Sequence, residues 1–204
     1  MKLYISDLHF YDENVIKMDN RGFADVREMN QYMIEQWNAS VKGGDHVIVL
    51  GDMFWTSKAE EVNYVLNRLG GKIYLIEGNH DCRWLRKTGV NLNRFEWIKH
   101  YAELSDGENN VILSHYPTFC YNHQYLTDKK GRPRTFMLYG HVHNTHDEAL
   151  VNQFQEITRK TVIKNGDTER IIPCNMINCF CKFSDYKPLG LKDWIKLDAE
   201  RRAE

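Results

Sequence analysis

The run Lys72-Ile73-Tyr74-Leu75-Ile76-Glu77-Gly78-Asn79-His80-Asp81 decides how this chain folds. It opens as an apolar stretch of strand length and breaks, at a glycine, into three polar side chains. The same event recurs along the sequence. Residues 2–6 run into Asp7-Leu8-His9, residues 46–50 into Gly51-Asp52, residues 110–114 into His115, and residues 135–139 into Gly140-His141-Val142-His143. A sixth strand-like run covers residues 176–183. In α/β sheets ligands sit outside the carboxyl ends of strands, so Asp, Asn and His recurring at five strand ends point to one convergent site.

Helical patterns fill the intervals. Phe23, Val26, Met29, Met33 and Trp37 recur at helical spacing and stop at Gly43-Gly44. Ser57 and Glu60 have capping-box spacing ahead of Val62, Val65, Leu66 and Leu69. Residues 93–101 carry a third apolar face through Phe95, Trp97 and Ile98, and Thr145 with Glu148 opens a fourth through Leu150, Phe154 and Ile157. Asn165-Gly166-Asp167 reads as a turn. Strands alternating with helices imply a layered α/β fold, and with no repeat or linker the expectation is one domain over residues 1–204.

Composition limits the function. The 204 residues are 42% hydrophobic, enough for a proper core, and Lys+Arg 27 against Asp+Glu 28 leaves a formal net charge of −1. That balance argues against a polyanion binder working by bulk positive charge. Apolar stretches such as Val47-Ile48-Val49-Leu50 are too short to span a membrane. A strand-like pattern from Lys2 leaves no room for a leader, and five cysteines, an odd number, suggest free thiols and a cytoplasmic location. Cys179 and Cys181 read as packed thiols.

Two carboxylates and several imidazoles in one small volume need a countercharge. Divalent cations supply it, and mixed imidazole, carboxylate and amide ligands suit Zn, Fe or Mn better than Mg or Ca. Seven candidate ligands exceed one tetrahedral site, so two ions sharing a carboxylate is the economical arrangement. Such pairs clamp the attacking and leaving oxygens of an in-line displacement.

Asp7-x-His9, Gly51-Asp52, Gly78-Asn79-His80-Asp81, His115 and Gly140-His141-x-His143 resemble, in order, the motif series of the calcineurin-like metallophosphoesterase superfamily. Asn178 and Asp185-Tyr186-Lys187-Pro188 resemble the tail of small bacterial and phage-type members. The resemblance implies an α/β/β/α sandwich with a mixed sheet core and helices outside. It implies two divalent metal ions, with manganese favoured. Asp7, His9 and His143 would hold one ion, Asn79, His115 and His141 the other, and Asp52 would bridge them. It further implies a phosphoesterase acting on a small phosphodiester or phosphomonoester, with a metal-bridging hydroxide as nucleophile. His80 would stabilise the transition state or protonate the leaving alcohol, and Asp81 would orient His80, with structural capping of the following segment as the other reading of Asp81. The alternatives are a nuclease of the same fold, disfavoured by the charge balance, and a non-catalytic module that binds a phosphorylated partner.

Other residues have two readings. Arg83 is equally a substrate-phosphate contact and a surface ion pair. His46 and His100 read as solvated, His100 suiting a helix C-terminus, and His123 and His146 as loop polarity. Phe119, Tyr121 and Tyr125 are rim candidates able to stack on an aromatic group, with plain packing favoured for at least two. The basic run Lys129 to Arg134 precedes a strand, which puts it at the edge away from the metals, as a solvated turn.

Overall fold

The computed structural model describes residues 1–203. In chain order the elements are β1 (Lys2–Ile5), α1 (Asn14–Met18), α2 (Val26–Ser40), β2 (His46–Val49), α3 (Ala59–Leu66), β3 (Lys72–Ile76), α4 (Cys82–Leu85), β4 (Phe95–Lys99), β5 (Tyr101–Asp106), β6 (Asn109–Ser114), β7 (Thr135–Tyr139), α5 (His146–Lys160), β8 (Val162–Asn165), β9 (Thr168–Ile171), β10 (Met176–Asn178) and α6 (Leu191–Arg201). One sheet has the order β1-β2-β3-β4 with all neighbours parallel. The second has the order β10-β7-β6-β5, parallel except for the antiparallel β5–β6 pair.

Apolar side chains divide among three layers in a way that fixes the stacking. Ile5, Val47, Val49 and Leu75 of the first sheet pack against Met29, Met33 and Trp37 of α2 and Val62, Val65 and Leu66 of α3. The opposite face of that sheet, through Tyr4, Ile48, Leu50 and Ile76, meets Val111, Leu113, Phe136, Leu138 and Ile177 of the second sheet. Ile112, Met137, Tyr139 and Met176 then carry Val151 of α5 on the outer side. The result is the expected α/β/β/α sandwich. Burial on both faces explains why the central strands read as continuous apolar runs rather than alternating ones.

Several local expectations change. Residues 93–101 form a short 3₁₀ turn and β4, not a helix. The register between β3 and β4 shifts at Ile73/Tyr74, so Phe95 and Ile98 both reach the helix-side core while Trp97 packs toward the second sheet. That bulge breaks the two-residue alternation and imitates a helical spacing. His100 therefore ends no helix; it is exposed, 3.6 Å from Glu77. β5 was not anticipated. The strand at residue 176 stops at Asn178, and Phe180 makes an isolated bridge with Ser6 before a 3₁₀ turn over Cys181–Ser184. Ser57 caps nothing: Lys58 is the N-cap of α3, and the Thr56 hydroxyl, bonded to Glu61, accepts from Lys58 N instead. Thr145 does cap α5, but Glu148 bonds Arg201 rather than closing a box. Asn165-Gly166-Asp167 turns the β8–β9 hairpin.

Among the described residues no helix is long and apolar enough to cross a membrane. All five cysteines are free, with Cys179 and Cys181 buried.

Candidate metal centre

Parallel pairing aligns the carboxyl ends of β1, β2 and β3 in one sheet and of β6 and β7 in the other, and the close approach of their end residues brings both sets to one edge of the sandwich. Backbone bonds lock the first two loops together: Asp7 N donates to Gly51 O at 3.1 Å and His9 N to Asp52 O at 3.0 Å. Five motif residues then sit in the left-handed region, with φ of 55° at Asp7, 52° at His9, 52° at Asp52, 69° at His141 and 48° at His143. Each costs roughly 1–3 kcal/mol for a residue with a side chain, and such strain gathers where a site requires it. Two glycines make the close approach possible. A Cβ on Gly51 would stand 2.2 Å from His115 Nδ1, and one on Gly78 would stand 2.3 Å from Asp52 Oδ1.

The side chains converge as two groups that could hold a metal ion: Asp7, His9 and His143, and Asp52, His115 and His141. Asp52 joins them. Its Oδ1 accepts from His80 N at 2.9 Å, which leaves Oδ2 3.4 Å from His115 Nε2, 3.7 Å from His9 Nε2 and 3.9 Å from His80 Nε2. Asn79 Oδ1 lies 2.9 Å from His115 Nε2, on the same side. The seven residues expected as ligands are thus brought together.

The imidazoles are oriented from behind. His115 Nδ1 lies 2.8 Å from Leu50 O and His143 Nδ1 lies 2.8 Å from Asp19 Oδ1, so in both rings Nε2 is the nitrogen turned toward the carboxylates. Asp12 Oδ2 lies 3.3 Å from His9 Nδ1. Both His9 nitrogens are buried without a hydrogen bond. A buried imidazole in that condition suits a cation at Nε2, and a donor set of imidazoles, carboxylates and one amide suits a transition-series divalent ion.

Without metal, the charges in the site balance one another. Burial pushes the Asp52 carboxyl up, but the hydrogen bond and charge of His115, with the charge of His9, win and hold it at about 2. Burial pushes His115 down, and its bond to Asp52 with the charge of Asp7 carries it instead to about 9. His143 is raised in the same way: burial opposes, while the Asp19 bond and the Asp7 charge prevail. His141 and His80 are lowered, first by burial; the charge of His115 adds to this at His141 and that of His9 at His80. A pocket of about 230 Å³ opens over these groups, lined by His9, Asp52, His80, His141 and His143.

The chain matches the calcineurin-like phosphoesterase family model over residues 3–188. It belongs to that family. An uncharacterized protein of Methanocaldococcus jannaschii is 45% identical over 198 residues, covering 96% of this chain and 90% of its own length. A crystal structure of a protein of unknown function from Aquifex aeolicus superposes with a TM-score of 0.64, at 24% identity, over 97% of this chain and 98% of that one. As a calcineurin-like phosphoesterase, the chain is a metal-dependent phosphoesterase in general terms, and its two ligand groups suit divalent ions.

In this family member Asp81 does not stand behind His80. Its Oδ2 accepts from Asp52 N and Gly78 N, both at 2.8 Å, and its Oδ1 from Met53 N at 2.9 Å and Trp84 Nε1 at 2.8 Å. Four donors use up the carboxylate, so Asp81 clasps the loops after β2 and β3 rather than orienting the His80 ring. His80 leans instead on Trp55, ring centroids 4.6 Å apart.

Residues beyond the seven expected ligands complete the site. Asp19 bonds His143 and also Arg21, at 2.8 Å to Nη2 and 3.0 Å to Nε. Arg21 is buried and donates to Leu8 O at 2.8 Å and Asp7 O at 3.0 Å. Both lie in a loop with no periodicity, and only the Asp-x-Arg spacing before Gly22 hinted at an ordered turn. Asn178 Nδ2 donates to His143 O at 2.7 Å, which gives the tail a positional role. Tyr116 packs edge-on to His141 at 4.5 Å and is 49% exposed.

The rim candidates lie elsewhere. Phe119 stacks on Phe154, Tyr121 is buried with its hydroxyl donating to Asn175 O at 3.0 Å, and Tyr125 lies under Arg170. His46 is not simply solvated, since its Nδ1 lies 2.7 Å from the Tyr74 hydroxyl. The basic run does sit at the other pole, where Arg132 and Arg134 line a cavity of about 760 Å³ with Met1, Asp106 and Leu191. Size does not make that cavity the candidate site; the groups that could hold a metal ion converge at the smaller one.

Proposed function

We infer that the protein hydrolyses small phosphodiesters or phosphomonoesters with two divalent ions, manganese favoured over iron and zinc. The observation that carries this reading is Asp52 Oδ2, which stands between the two ligand groups with the unassigned His80 beside it. Asp7, His9 and His143 would hold one ion, Asn79, His115 and His141 the other, and Asp52 both. When bound, such a pair supplies an activated water and a charge clamp on the attacking and leaving oxygens of an in-line displacement.

The chain's own groups do the rest. Asp52 Oδ1 is committed to His80 N, which fixes the backbone of His80 relative to the shared carboxylate. The His80 side chain is 30% exposed and lines the pocket, so it can reach a bound phosphoester. Its role is to donate a proton or hydrogen bond to the departing oxygen, the kind of transfer typically worth about 10²–10⁴ in rate. Asp81 contributes by holding the Gly78-to-His80 turn in place. Free thiols throughout suit a reducing compartment, and we place the protein in the cytoplasm.

Metal-depleted protein reconstituted with Mn²⁺ is expected to bind two ions per chain and to cleave aryl phosphodiesters or monoesters. His80→Ala is expected to retain both ions and lose turnover. Absence of stoichiometric metal, or His80→Ala turning over like the wild type, overturns the reading.

A further inference from the structure

The candidate site has an uncommitted cation on its His80 side. Arg83 N donates to His80 O at 3.2 Å, so the two residues share one turn of chain. The Arg83 guanidinium lies 4.0 Å over the ring of Trp55, and that same ring packs against His80 at 4.6 Å. Arg83 is exposed, and among the described residues its guanidinium has no carboxylate partner and no hydrogen bond. The nearest acid in sequence, Asp81, is fully buried and spent on four N–H donors. The surface-ion-pair reading of Arg83 therefore has nothing to rest on. A guanidinium held over an indole, with no other partner, keeps its N–H donors available for a phosphate or carboxylate.

We propose that Arg83, carried on Trp55, is a specificity-determining residue that selects phosphoesters whose leaving group bears a second phosphate. This rests on the phosphoesterase reading above, which places the departing oxygen at His80. In the reaction a P–O bond forms to the oxygen of water, the P–O bond to the leaving group breaks, and the departing oxygen takes its proton from the His80 side. Groups just beyond that oxygen belong to the leaving group, and Arg83, which shares the Trp55 ring with His80, is the cation on that side. The substrate class is thus a bisphosphorylated alcohol or a related ester with an anionic leaving group. A simple alkyl or aryl monoester would leave Arg83 unused.

Two esters that differ only in the charge of the leaving group test this: adenosine 3′-phosphate and adenosine 3′,5′-bisphosphate, followed as release of the 3′-phosphate. With Mn²⁺-loaded wild type, kcat/KM is expected to favour the bisphosphate by on the order of tenfold or more, the size of one charge-assisted contact. Arg83→Ala should bring the ratio close to one, and Arg83→Lys should restore part of it. Equal losses on both esters would mean that the guanidinium grips the transferred phosphoryl group, and the proposal fails; an unchanged ratio sinks it equally. If neither ester is turned over, the phosphoesterase reading is in question, and binding alone decides the role of Arg83. Adenosine 5′-phosphate, which is the leaving group itself, is titrated against tryptophan fluorescence with Trp55→Phe as the control for the signal. Binding weakened about tenfold in Arg83→Ala supports the assignment. Equal binding by wild type and variant overturns it.

Discussion

Removing the Asp19 carboxylate should cost the protein both stability and metal. Asp19 Oδ1 is 2.8 Å from His143 Nδ1, and Asp19 Oδ2 is 2.8 Å from Arg21 Nη2. Burial pushes the Asp19 carboxyl up, but the His143 bond and the Arg21 charge outweigh it and hold it below the usual carboxylate range. Asp19→Ala leaves a buried guanidinium without its counterion, a change that costs about 3–5 kcal/mol when one partner of a buried pair is removed. It also frees the His143 ring to rotate, and loss of such an orienting partner typically weakens a metal site by about 10–100-fold. Asp19→Asn separates the two effects. Its amide oxygen can still accept from His143 Nδ1, so metal affinity should fall less than in the alanine variant, while the loss of charge opposite Arg21 still destabilises the fold. Urea unfolding of metal-depleted protein gives the first quantity, and equilibrium dialysis with quantified Mn²⁺ gives the second. Two Mn²⁺ bound by Asp19→Ala at wild-type affinity would refute the reasoning, as would a denaturation midpoint unchanged from wild type.

Three further outcomes follow from the geometry. Gly78→Ala sets a methyl 2.3 Å from Asp52 Oδ1 and 2.5 Å from Asp52 N, and is expected to destabilise by about 1–3 kcal/mol and weaken metal binding; a variant with a wild-type melting temperature and metal content would contradict it. In metal-free protein His115 stands at about 9 against about 6.5 unfolded, so its contribution is complete below pH 6.5 and lost as pH rises to 9, roughly 3 kcal/mol in all. Denaturation midpoints of chelator-treated protein should fall between pH 6 and 9.5, whereas stabilisation by added Mn²⁺ should grow over the same range because ligating imidazoles must be deprotonated. Chelation itself should leave a cooperatively folded protein, since the three apolar clusters extend well beyond the site; Mn²⁺ at 100 times its Kd should then add about 2.7 kcal/mol per site. A chelated chain without a cooperative transition would show that the metals, not the core, hold the fold.

The candidate ligand groups were legible because metal chemistry restricts residue type and because parallel strands deliver their ends to one edge. Asp7, His9, Asp52, Asn79, His115, His141 and His143 each follow an apolar run, and the sheet order brings those runs side by side. What supports the ligands was not legible. Asp19 and Asp12 contact the imidazoles, and Arg21 holds Asp19, through folding of a polar loop in which only the Asp19-x-Arg21 spacing sets any of them apart from solvated residues. Asp81 was visible as a polar residue, but its neighbour in sequence was the wrong guide to its partners, which are the amides of Asp52, Met53 and Gly78 and the indole of Trp84. The misreading of residues 93–101 has a similar origin. A bulge against β3 replaced a two-residue period by an apparent helical one, and only the partner strand reveals it.

The acids in this site act in two directions at once, and this explains how a strained arrangement persists. Asp7 accepts from His141 N, at 3.0 Å and 3.1 Å to its two oxygens, while Oδ1 also lies 3.6 Å from His143 Nε2. Asp52 spends Oδ1 on His80 N and turns Oδ2 to the histidines. Asp81 holds the amides of Asp52 and Gly78. Each of the three acids thus accepts from a backbone donor of another motif, and an unsatisfied buried amide costs about 1–3 kcal/mol. Those bonds offset the left-handed backbone at Asp7, Asp52 and His141. A change at one candidate ligand therefore disturbs the loop that carries another. Substitutions within the network should for that reason be non-additive, with Asp7 coupled to His141 and Asp52 coupled to His80, although neither pair is adjacent in sequence.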